Sequence, residues 1–390
     1  MIIIKPGSHA YRIVKLLLYT GEFPYYSLGM LGNVRMMKNV VNRMAESHEV
    51  RDDSGKTIFQ GKILNISGKG QFKTIRLNAY AFKIIDALFS DLMEYYRFLT
   101  GNHRFRGDSL NVERHHRVAE SVCMLLLAGI EMHPDKVPQL QMDETKKKSF
   151  QYPAFYHSRI LKTLIKDEMK KTQFTRTVGA VFTQDICYAV YNTRNAAMKW
   201  SGAGEIKARD SLEMVATMNS YASSPDSMFL MGKNFDVIVK TMRLLDTDPK
   251  EKIIFGHIYR YIHFIPMNEF GVKLLQLYST PCWKEFTLGL LFERSMIRRE
   301  MGAFKYDAKE DDSYFVSFLD SDIVKLRSVL KYLEKNKADV TVICFEDQTD
   351  FIQSFMGSCV TIHPIKIDEI LDALKIIPRA GCRGIDSSRL

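Results

Sequence analysis

Apolar residues in the first 45 positions recur at helical spacing. Five of them, between Ile13 and Leu18, predict a first helix over residues 9–20, and Gly21 ends it because glycine is a favoured C-terminal cap. A turn and a short second helix follow, with Pro24 near the start of that helix. A third helix is predicted by apolar residues that share one helical face: Val34, Met37, Val41 and Met44.

The pattern then changes to a period of two, which is typical of strands. Short strands separated by glycine-containing turns are predicted at Val50, Ile58, Ile63–Ile66 and Phe72–Leu77. Three short helices followed by a β-hairpin are the element order of a winged helix-turn-helix. Two further helices are predicted over 79–100 and 109–128.

A polar stretch from Glu131 to Tyr152, which contains Pro134 and Pro138, predicts a boundary between domains. Beyond it the elements are predicted in the order α-β-β-β-α-β-α-β, followed by a β-α-β unit, which gives a mixed sheet flanked by helices. The third strand of this series is predicted at about Ala196–Trp200. The chain is therefore predicted to be α/β (α+β overall), and its second module follows the element order of a PD-(D/E)xK nuclease core.

The sequence predicts five segments with different roles. They are a winged-helix DNA-binding domain with a trailing helix over 1–106, a helix and linker over 107–150, a nuclease-like α/β core over 151–280, a C-terminal α/β part over 281–376 and a disordered tail over 377–390. No internal repeat runs through these segments.

Basic residues are concentrated at the start of the chain. The 390 residues carry a formal net charge of +10. Residues 1–106 contain eight lysines and eight arginines against eight acidic residues, so they hold +8 of that total. A basic first domain beside a nearly neutral remainder favours contact with a polyanion, and nucleic acid is the expected one.

Composition and targeting signals narrow the class of protein. With 46% apolar residues the chain can bury sizeable cores. No apolar run reaches the roughly 18 residues needed to cross a bilayer, and the N-terminus lacks a signal-peptide cleavage pattern. The six cysteines are scattered without a C-x-x-C pair, which argues against a disulfide framework or a structural zinc site. These features predict a cytoplasmic protein with no membrane partner, no metal site and no cofactor.

The polar face of the third helix carries the strongest functional signal. It has no acidic residue between Gly32 and Ala45, whereas a merely solvated face usually mixes charges of both signs. In a helix-turn-helix the second helix of the pair lies in the major groove, where arginine suits guanine and asparagine suits adenine. The residues predicted to contact DNA bases are Arg35, Lys38, Asn39, Asn42 and Arg43.

Lysines around the glycine turns of the hairpin are predicted to contact DNA phosphates. Such contacts fix the position of a protein on the duplex without reading its sequence. The lysines concerned are Lys56, Lys62, Lys69 and Lys73. Because hairpin lysines also serve solubility, they support the assignment of the third helix and do not carry it alone.

A metal-dependent nuclease or nicking enzyme is the alternative from another functional class. It would need paired acids holding Mg²⁺, which activates water and stabilises the leaving oxygen. The candidate residues are Asp185, Lys199, Glu205 and Lys207. Ala197 stands where the third strand should carry its acid, which argues against cutting. The sequence therefore favours a binding protein over an enzyme.

Three passages carry a further resemblance, and together they fall within residues 10–240. They are YRIVKLLLYTGEFPYYSLGMLGN with the following VRMMKNVVNRM, then RHHRVAESVCMLLLAGIEMHP, and then TRTVGAVFTQDICYAVYNTRNA. These passages resemble the replication-relaxation family, winged-helix proteins of Gram-positive plasmids and integrative elements. The resemblance implies DNA binding in the replication, mobilisation or conjugation of a mobile genetic element, or in its regulation.

Together these observations predict a sequence-dependent double-stranded DNA-binding protein. Its C-terminal α/β part is expected to bind a second copy of the chain or another mobile-element protein. A winged helix that binds another protein is a third interpretation. Its mark would be an acidic or apolar third-helix face, and the sequence shows the opposite.

Overall fold

The structure, a computed structural model, describes residues 4–51, 57–105, 107–132, 152–164, 176–197, 203–219, 221, 223–247, 258–297 and 304–375. The chain divides into two compact units, one formed up to Asp135 and the other from Lys136 to Arg379. Both contain helices and sheets, and parallel and antiparallel pairs occur together, so the predicted α/β class is confirmed. No helix among the described residues is both long and apolar enough to span a bilayer. The tail predicted over 377–390 lies outside these residues.

Five α-helices lie in the described part of the first unit. They are α1 (His9–Thr20), α2 (Val34–Met44), α3 (Phe82–Leu88), α4 (Ser90–Thr100) and α5 (Ser109–Leu127). Side-chain caps begin three of them. The Ser8 hydroxyl accepts the Tyr11 backbone N–H at 3.2 Å, the Asn33 side chain accepts that of Met36 at 3.1 Å, and the Asp108 carboxylate accepts that of Asn111 at 2.9 Å. The first and third predicted helices are confirmed as α1 and α2.

The strands of the first unit form two small antiparallel sheets. They are β1 (Glu22–Pro24), β2 (Ser47–Arg51), β3 (Thr57–Lys62), β4 (Leu64–Ser67) and β5 (Thr74–Leu77). β2 and β3 pair as a hairpin, and a three-stranded sheet has the order β1-β5-β4. α1 packs against α4 and α5, with Ile13, Val14 and Leu17 fully buried. The hydrophobic face of α1 therefore forms the centre of this unit.

The short second helix is confirmed as a 3-10 helix, Tyr25–Leu31. Part of the turn predicted before it is instead β1, because the backbone of Glu22–Pro24 pairs with β5. Two other local predictions for the first unit are wrong. Phe72 belongs to a 3-10 helix, Gly70–Phe72, and not to a strand. The single helix predicted over 79–100 is broken at Phe89, whose φ of −145° is not helical. The Phe89 ring is buried and packs on Tyr11 at 4.6 Å, and this packing accompanies the break.

The second unit contains two sheets. Their strands are β6 (Ala154–His157), β7 (Thr177–Phe182), β8 (Cys187–Arg194), β9 (Ser227–Gly232), β10 (Tyr261–Pro266), β11 (Ala308–Glu310), β12 (Ser313–Ser317), β13 (Asp339–Phe345) and β14 (Thr361–Ile365). The first sheet has the order β10-β9-β8-β7-β6, with β8, β9 and β10 parallel and the β6-β7-β8 pairs antiparallel. The second has the order β11-β12-β13-β14, with β12, β13 and β14 parallel.

Helices cover these sheets, as parallel strand connections require. They are α6 (Ser158–Leu164), α7 (Ala203–Met218), α8 (Asp236–Thr247), α9 (Glu269–Tyr278), α10 (Trp283–Leu291), α11 (Ile323–Leu333), α12 (Thr349–Met356) and α13 (Ile367–Ala373). One hydrophobic core runs through both sheets, and it includes Tyr191 and Phe264 of the first and Val316 and Val342 of the second.

The edge strand β10 is joined to the loop that follows β12. The Phe264 backbone N–H donates to the Ser321 carbonyl at 3.0 Å, and the Ile262 N–H donates to the Asp322 carboxylate at 3.1 Å. These bonds satisfy backbone groups that an edge strand would otherwise leave unpaired. They also bring the amino end of β10 to the carboxyl end of β12, where polar side chains collect.

The strand predicted at Ala196–Trp200 is wrong for its described residues. Ala196 and Ala197 lie in the turn and loop after β8, and the rest of the range lies outside the described residues. Arg194 has a φ of +54°, a conformation that does not continue a strand, so the chain leaves the sheet there. Several elements were not predicted from the sequence: β6, α9, α10 and β11.

Replacement of Gly271 by alanine tests the packing between β10 and α9. A Cβ at Gly271 would lie 1.8 Å from the Pro266 carbonyl oxygen, so the backbone must shift. We expect Gly271→Ala to lower the free energy of unfolding of the second unit by about 2 kcal/mol, although alanine normally favours helices. Urea denaturation followed by tryptophan fluorescence measures this unit, because both tryptophans, Trp200 and Trp283, belong to it.

Gly289→Ala is the matched control on α10. A Cβ at Gly289 would meet no atom within 4 Å. Helix propensity alone should then leave the urea midpoint unchanged or raise the stability by up to ~1 kcal/mol. An equal response of the two variants would show that the contact with Pro266 does not matter.

Candidate nucleic-acid interface

Helix α2 packs against the other elements of the first unit through one narrow apolar face. Met37, Val41 and Met44 are fully buried, as predicted. Val34 was predicted to belong to this face, but 46% of it is exposed and its side chain lies beside Gly29 at the start of the helix. The remaining circumference of α2 is therefore open to solvent.

The residues predicted to contact DNA bases lie on this open side. Arg35, Asn39, Asn42 and Arg43 are exposed and Lys38 is half-buried. Arg35, Asn39 and Arg43 succeed one another at intervals of four and form one stripe. This stripe lines a shallow depression of about 320 Å³. The acid-free surface predicted from the sequence is thus physically continuous along the helix.

Tyr25 connects α2 to the loop before β5. Its hydroxyl donates to the Asn42 side-chain oxygen at 3.0 Å. The Lys73 ammonium lies 4.0 Å from the centre of its ring and the Lys38 ammonium 5.8 Å, within the range of cation–π attraction. The backbone N–H of Tyr25 also donates to the Lys73 carbonyl at 2.8 Å. Two of the predicted cations are therefore held on one side of α2.

The other hairpin lysines are solvent-facing where they can be described. Lys62 is exposed at the end of β3, and Ile63 beside it donates its backbone N–H to the carbonyl of Met44 at the end of α2. Lys69 is exposed ahead of the Gly70–Phe72 turn. Lys56 lies outside the described residues. Lys62 and Lys73 thus lie on two different segments of the chain that contact α2 or Tyr25 beside it.

A buried carboxylate fixes the strands that carry this surface. Glu22 on β1 is fully buried and accepts hydrogen bonds from the Arg76 guanidinium at 2.6 Å and from His115 at 2.9 Å. Burial opposes the charge on Glu22, but the hydrogen bond from His115 and the positive charges of Arg76 and His115 hold its pKa below the ordinary value. β1, β5 and α5 are joined at this point.

Two further polar contacts connect α5 to the elements beside α2. The His116 ring lies 2.7 Å from the Thr74 hydroxyl on β5, and burial lowers the pKa of His116 to about 4. The Ser27 hydroxyl donates to the Glu120 carboxyl at 2.6 Å, and burial raises the pKa of Glu120 to about 7. Sequence reasoning missed these partners because they lie 42 and 93 residues apart.

The structure does not bring the nuclease candidates together. Asp185 lies in the turn between β7 and β8, where it accepts the Cys282 backbone N–H. Glu205 is buried in the first turn of α7 and pairs with Arg176 at 3.2 Å, just before β7 begins. The intervening strand spans about 17 Å, so the two acids lie at opposite ends of the β7–β8 hairpin. Lys207 is exposed on α7, and Lys199 lies outside the described residues.

No protein-family model, no curated protein and no solved structure matches this chain. Within the described residues, no group of three or more His, Cys, Asp or Glu side chains is placed to hold a metal ion. Any assignment of a binding surface therefore depends on the exposure and charge of its residues.

Proposed function

We propose that this chain binds double-stranded DNA through α2 and its flanking lysines, as a winged helix-turn-helix protein. The observation that carries the proposal is the exposed, acid-free stripe of Arg35, Asn39 and Arg43 on α2. Guanidinium and carboxamide groups on one helix can each make two hydrogen bonds to a single base in the major groove. Lys62 and Lys73, on segments that contact α2 or Tyr25 beside it, would then contact the phosphates.

The broader role rests on the resemblance to the replication-relaxation family. We propose that DNA binding serves the replication or mobilisation of a plasmid or another mobile element, or the control of these processes. The α5 segment RHHRVAE supports this proposal, because it belongs to one of the passages that carry the resemblance. Its side chains form hydrogen bonds with β1, β5 and the 3-10 helix that precedes α2. We do not propose DNA cutting through Asp185 and Glu205, since they lie at opposite ends of one hairpin.

The first test is a titration of labelled 30-base-pair duplex by fluorescence anisotropy at several salt concentrations. We expect Arg35→Ala and Arg43→Ala each to weaken binding by about tenfold, within the range of one lost bidentate base contact. If an arginine contacts phosphate instead, the slope of log affinity against log salt should fall by about 0.9 for that variant. A duplex selected from a random pool would separate base reading from phosphate contact, because only the former depends on sequence.

Arg97→Ala is the matched control for this titration. Arg97 is also exposed on a helix, but it lies on α4, which packs on α1. The same loss of one positive charge should therefore change DNA affinity by less than about twofold, since distant exposed charges are screened by salt. If Arg35→Ala, Arg43→Ala and Arg97→Ala all weaken DNA binding equally, or if none of them weakens it, α2 is not the interface.

A further inference from the structure

A polar cavity of about 550 Å³ lies in the second unit, apart from the α2 surface. Its walls come from the amino ends of β8, β9 and β10 and from the loop after β12, which meet through the bonds at Ile262 and Phe264. The volume is that of ordinary small-molecule sites.

Three positive side chains converge on one aromatic ring in this cavity. The charged groups of Lys305, Arg260 and Lys284 lie 4.8, 5.4 and 6.0 Å from the centre of the Tyr261 ring. Lys284 pairs with Asp320 at 3.1 Å, whereas neither Arg260 nor Lys305 has an ion-pair partner among the described residues. Positive charges this close to one ring repel one another, and an anion bound between them would offset that repulsion.

The pKa of Lys305 is lowered by its surroundings. Burial lowers its pKa, and the positive charges of Arg260, Lys325 and Lys284 lower it further, against an opposing effect of Asp322. A bound anion would reverse the effect of the neighbouring cations. The cluster is therefore suited to a ligand that supplies negative charge at Tyr261.

Asp322 lines the same cavity and has one buried carboxyl oxygen without a partner. The residue is 1% exposed, and one carboxyl oxygen accepts the backbone N–H groups of Ile262 and Val324 at 3.1 and 3.0 Å. The other oxygen, Oδ2, is buried and makes no hydrogen bond. Burial raises the pKa of Asp322, and the neighbouring Asp320 raises it further. A protonated Asp322 would donate from Oδ2 to an acceptor oxygen of a ligand.

The acidic residues of the cavity limit the kind of anion. Asp307 is paired with Lys325, and Asp185 accepts the Cys282 backbone N–H, so both carboxylates already have partners. Asp226 and Glu285 also line the wall. They would repel a long polyanion, and they can accept hydrogen bonds from amino groups of a ligand.

We propose that this cavity binds a phosphomonoester of mononucleotide size. The phosphate would lie between Arg260 and Lys305 and accept a hydrogen bond from Asp322. The half-buried Tyr261 ring provides aromatic surface for a planar ring, and Asp226 and Glu285 provide acceptors for its amino groups. This site is independent of the DNA-binding surface proposed on α2.

The test is isothermal titration calorimetry of the full chain with deoxyadenosine 5′-monophosphate, in a buffer without phosphate. We expect saturable binding at one site, and deoxyadenosine without its phosphate should bind at least tenfold more weakly. Arg260→Ala and Lys305→Ala should each weaken binding by about tenfold, because each removes one charge-assisted contact. Asp322→Asn should retain binding, since its amide nitrogen donates where the carboxyl must be protonated.

Two control variants make the outcome specific. Lys337→Ala removes an exposed lysine outside the cavity, and Arg35→Ala alters the α2 surface. Both should bind the nucleotide as the unaltered chain does, so that a failure here is distinguishable from a failure of the DNA proposal. The proposal is overturned by any of three results: no saturable binding, equal binding of deoxyadenosine, or an affinity that neither Arg260→Ala nor Lys305→Ala changes in correctly folded protein.

Discussion

Replacement of Lys325 by methionine is expected to lower the free energy of unfolding of the second unit by about 3–5 kcal/mol, the usual result of breaking a buried ion pair. The Lys325 ammonium is buried and contacts Asp320 at 2.9 Å, Asp307 at 3.2 Å and the Ser317 carbonyl. These carboxylates hold its pKa above the ordinary value although burial opposes the charge. Methionine keeps the volume but leaves two buried carboxylates without that cation.

Tryptophan fluorescence during urea denaturation measures this effect, since Trp283 is buried against Tyr278 in the same unit. Lys331→Ala on α11 is the control, because Lys331 is exposed and its removal should cost less than about 0.5 kcal/mol. Adding Asp307→Asn and Asp320→Asn to Lys325→Met should restore at least half of the loss, since no unpaired charge then remains buried. A triple variant no more stable than Lys325→Met would contradict the electrostatic explanation.

Glu120→Gln is expected to stabilise the first unit at alkaline pH and to have little effect in acid. The pKa of Glu120 is raised to about 7 by burial, from an ordinary value of 4.5. The folded state therefore holds a proton that the unfolded chain releases, so this group's stabilisation is complete below pH 4.5 and is lost as pH rises through 7. Glutamine stays neutral and can still accept from Ser27, which gives it an advantage of about 3 kcal/mol at pH 8.

Calorimetric melting of both proteins at pH 4.5 and pH 8 tests this prediction. His116 acts in the opposite direction, because its pKa is lowered to about 4 and stability is lost as pH falls below 6.5. Only the difference between wild type and Glu120→Gln isolates the glutamate. Glu113→Gln on the same helix is the control, since that carboxylate is 41% exposed and pairs with Arg117 at the surface. A melting-temperature difference that does not grow with pH would refute the assignment.

The parts of the fold that the sequence predicted are those set by local periodicity. α1 and the buried face of α2 follow from apolar spacing, and the capping side chains of Ser8 and Asn33 begin both helices. Short apolar runs bounded by turns also predict strands at Val178–Thr183, Ile186–Asn192 and Tyr261–Pro266, which agree with β7, β8 and β10 within two residues. Each of these signals lies within a few residues of the element that it specifies.

The features that were not predicted depend on partners far away in the chain. β1 is a strand because it pairs with β5, some fifty residues later. Val34 is exposed because the other elements of the first unit cover only one side of α2. The helix break at Phe89 accompanies its packing on Tyr11. In the second unit the cavity forms where the loop carrying Asp320 and Asp322 meets β10. The local sequence shows only two acidic residues after an apolar strand. It does not indicate that Asp320 contacts Lys284 and His263, which lie far away in the chain.

The position of Glu22 also has a consequence for the order of folding. Its partners Arg76 and His115 lie 54 and 93 residues further along the chain. These long sequence separations give the first unit a high contact order. Because closing such loops costs entropy before the contact is gained, the unit should fold slowly compared with a simple helical bundle. During synthesis from the N-terminus, β1 cannot reach its final environment until α5 has left the ribosome. The α2 surface therefore becomes fixed late, although it is encoded among the first 45 residues.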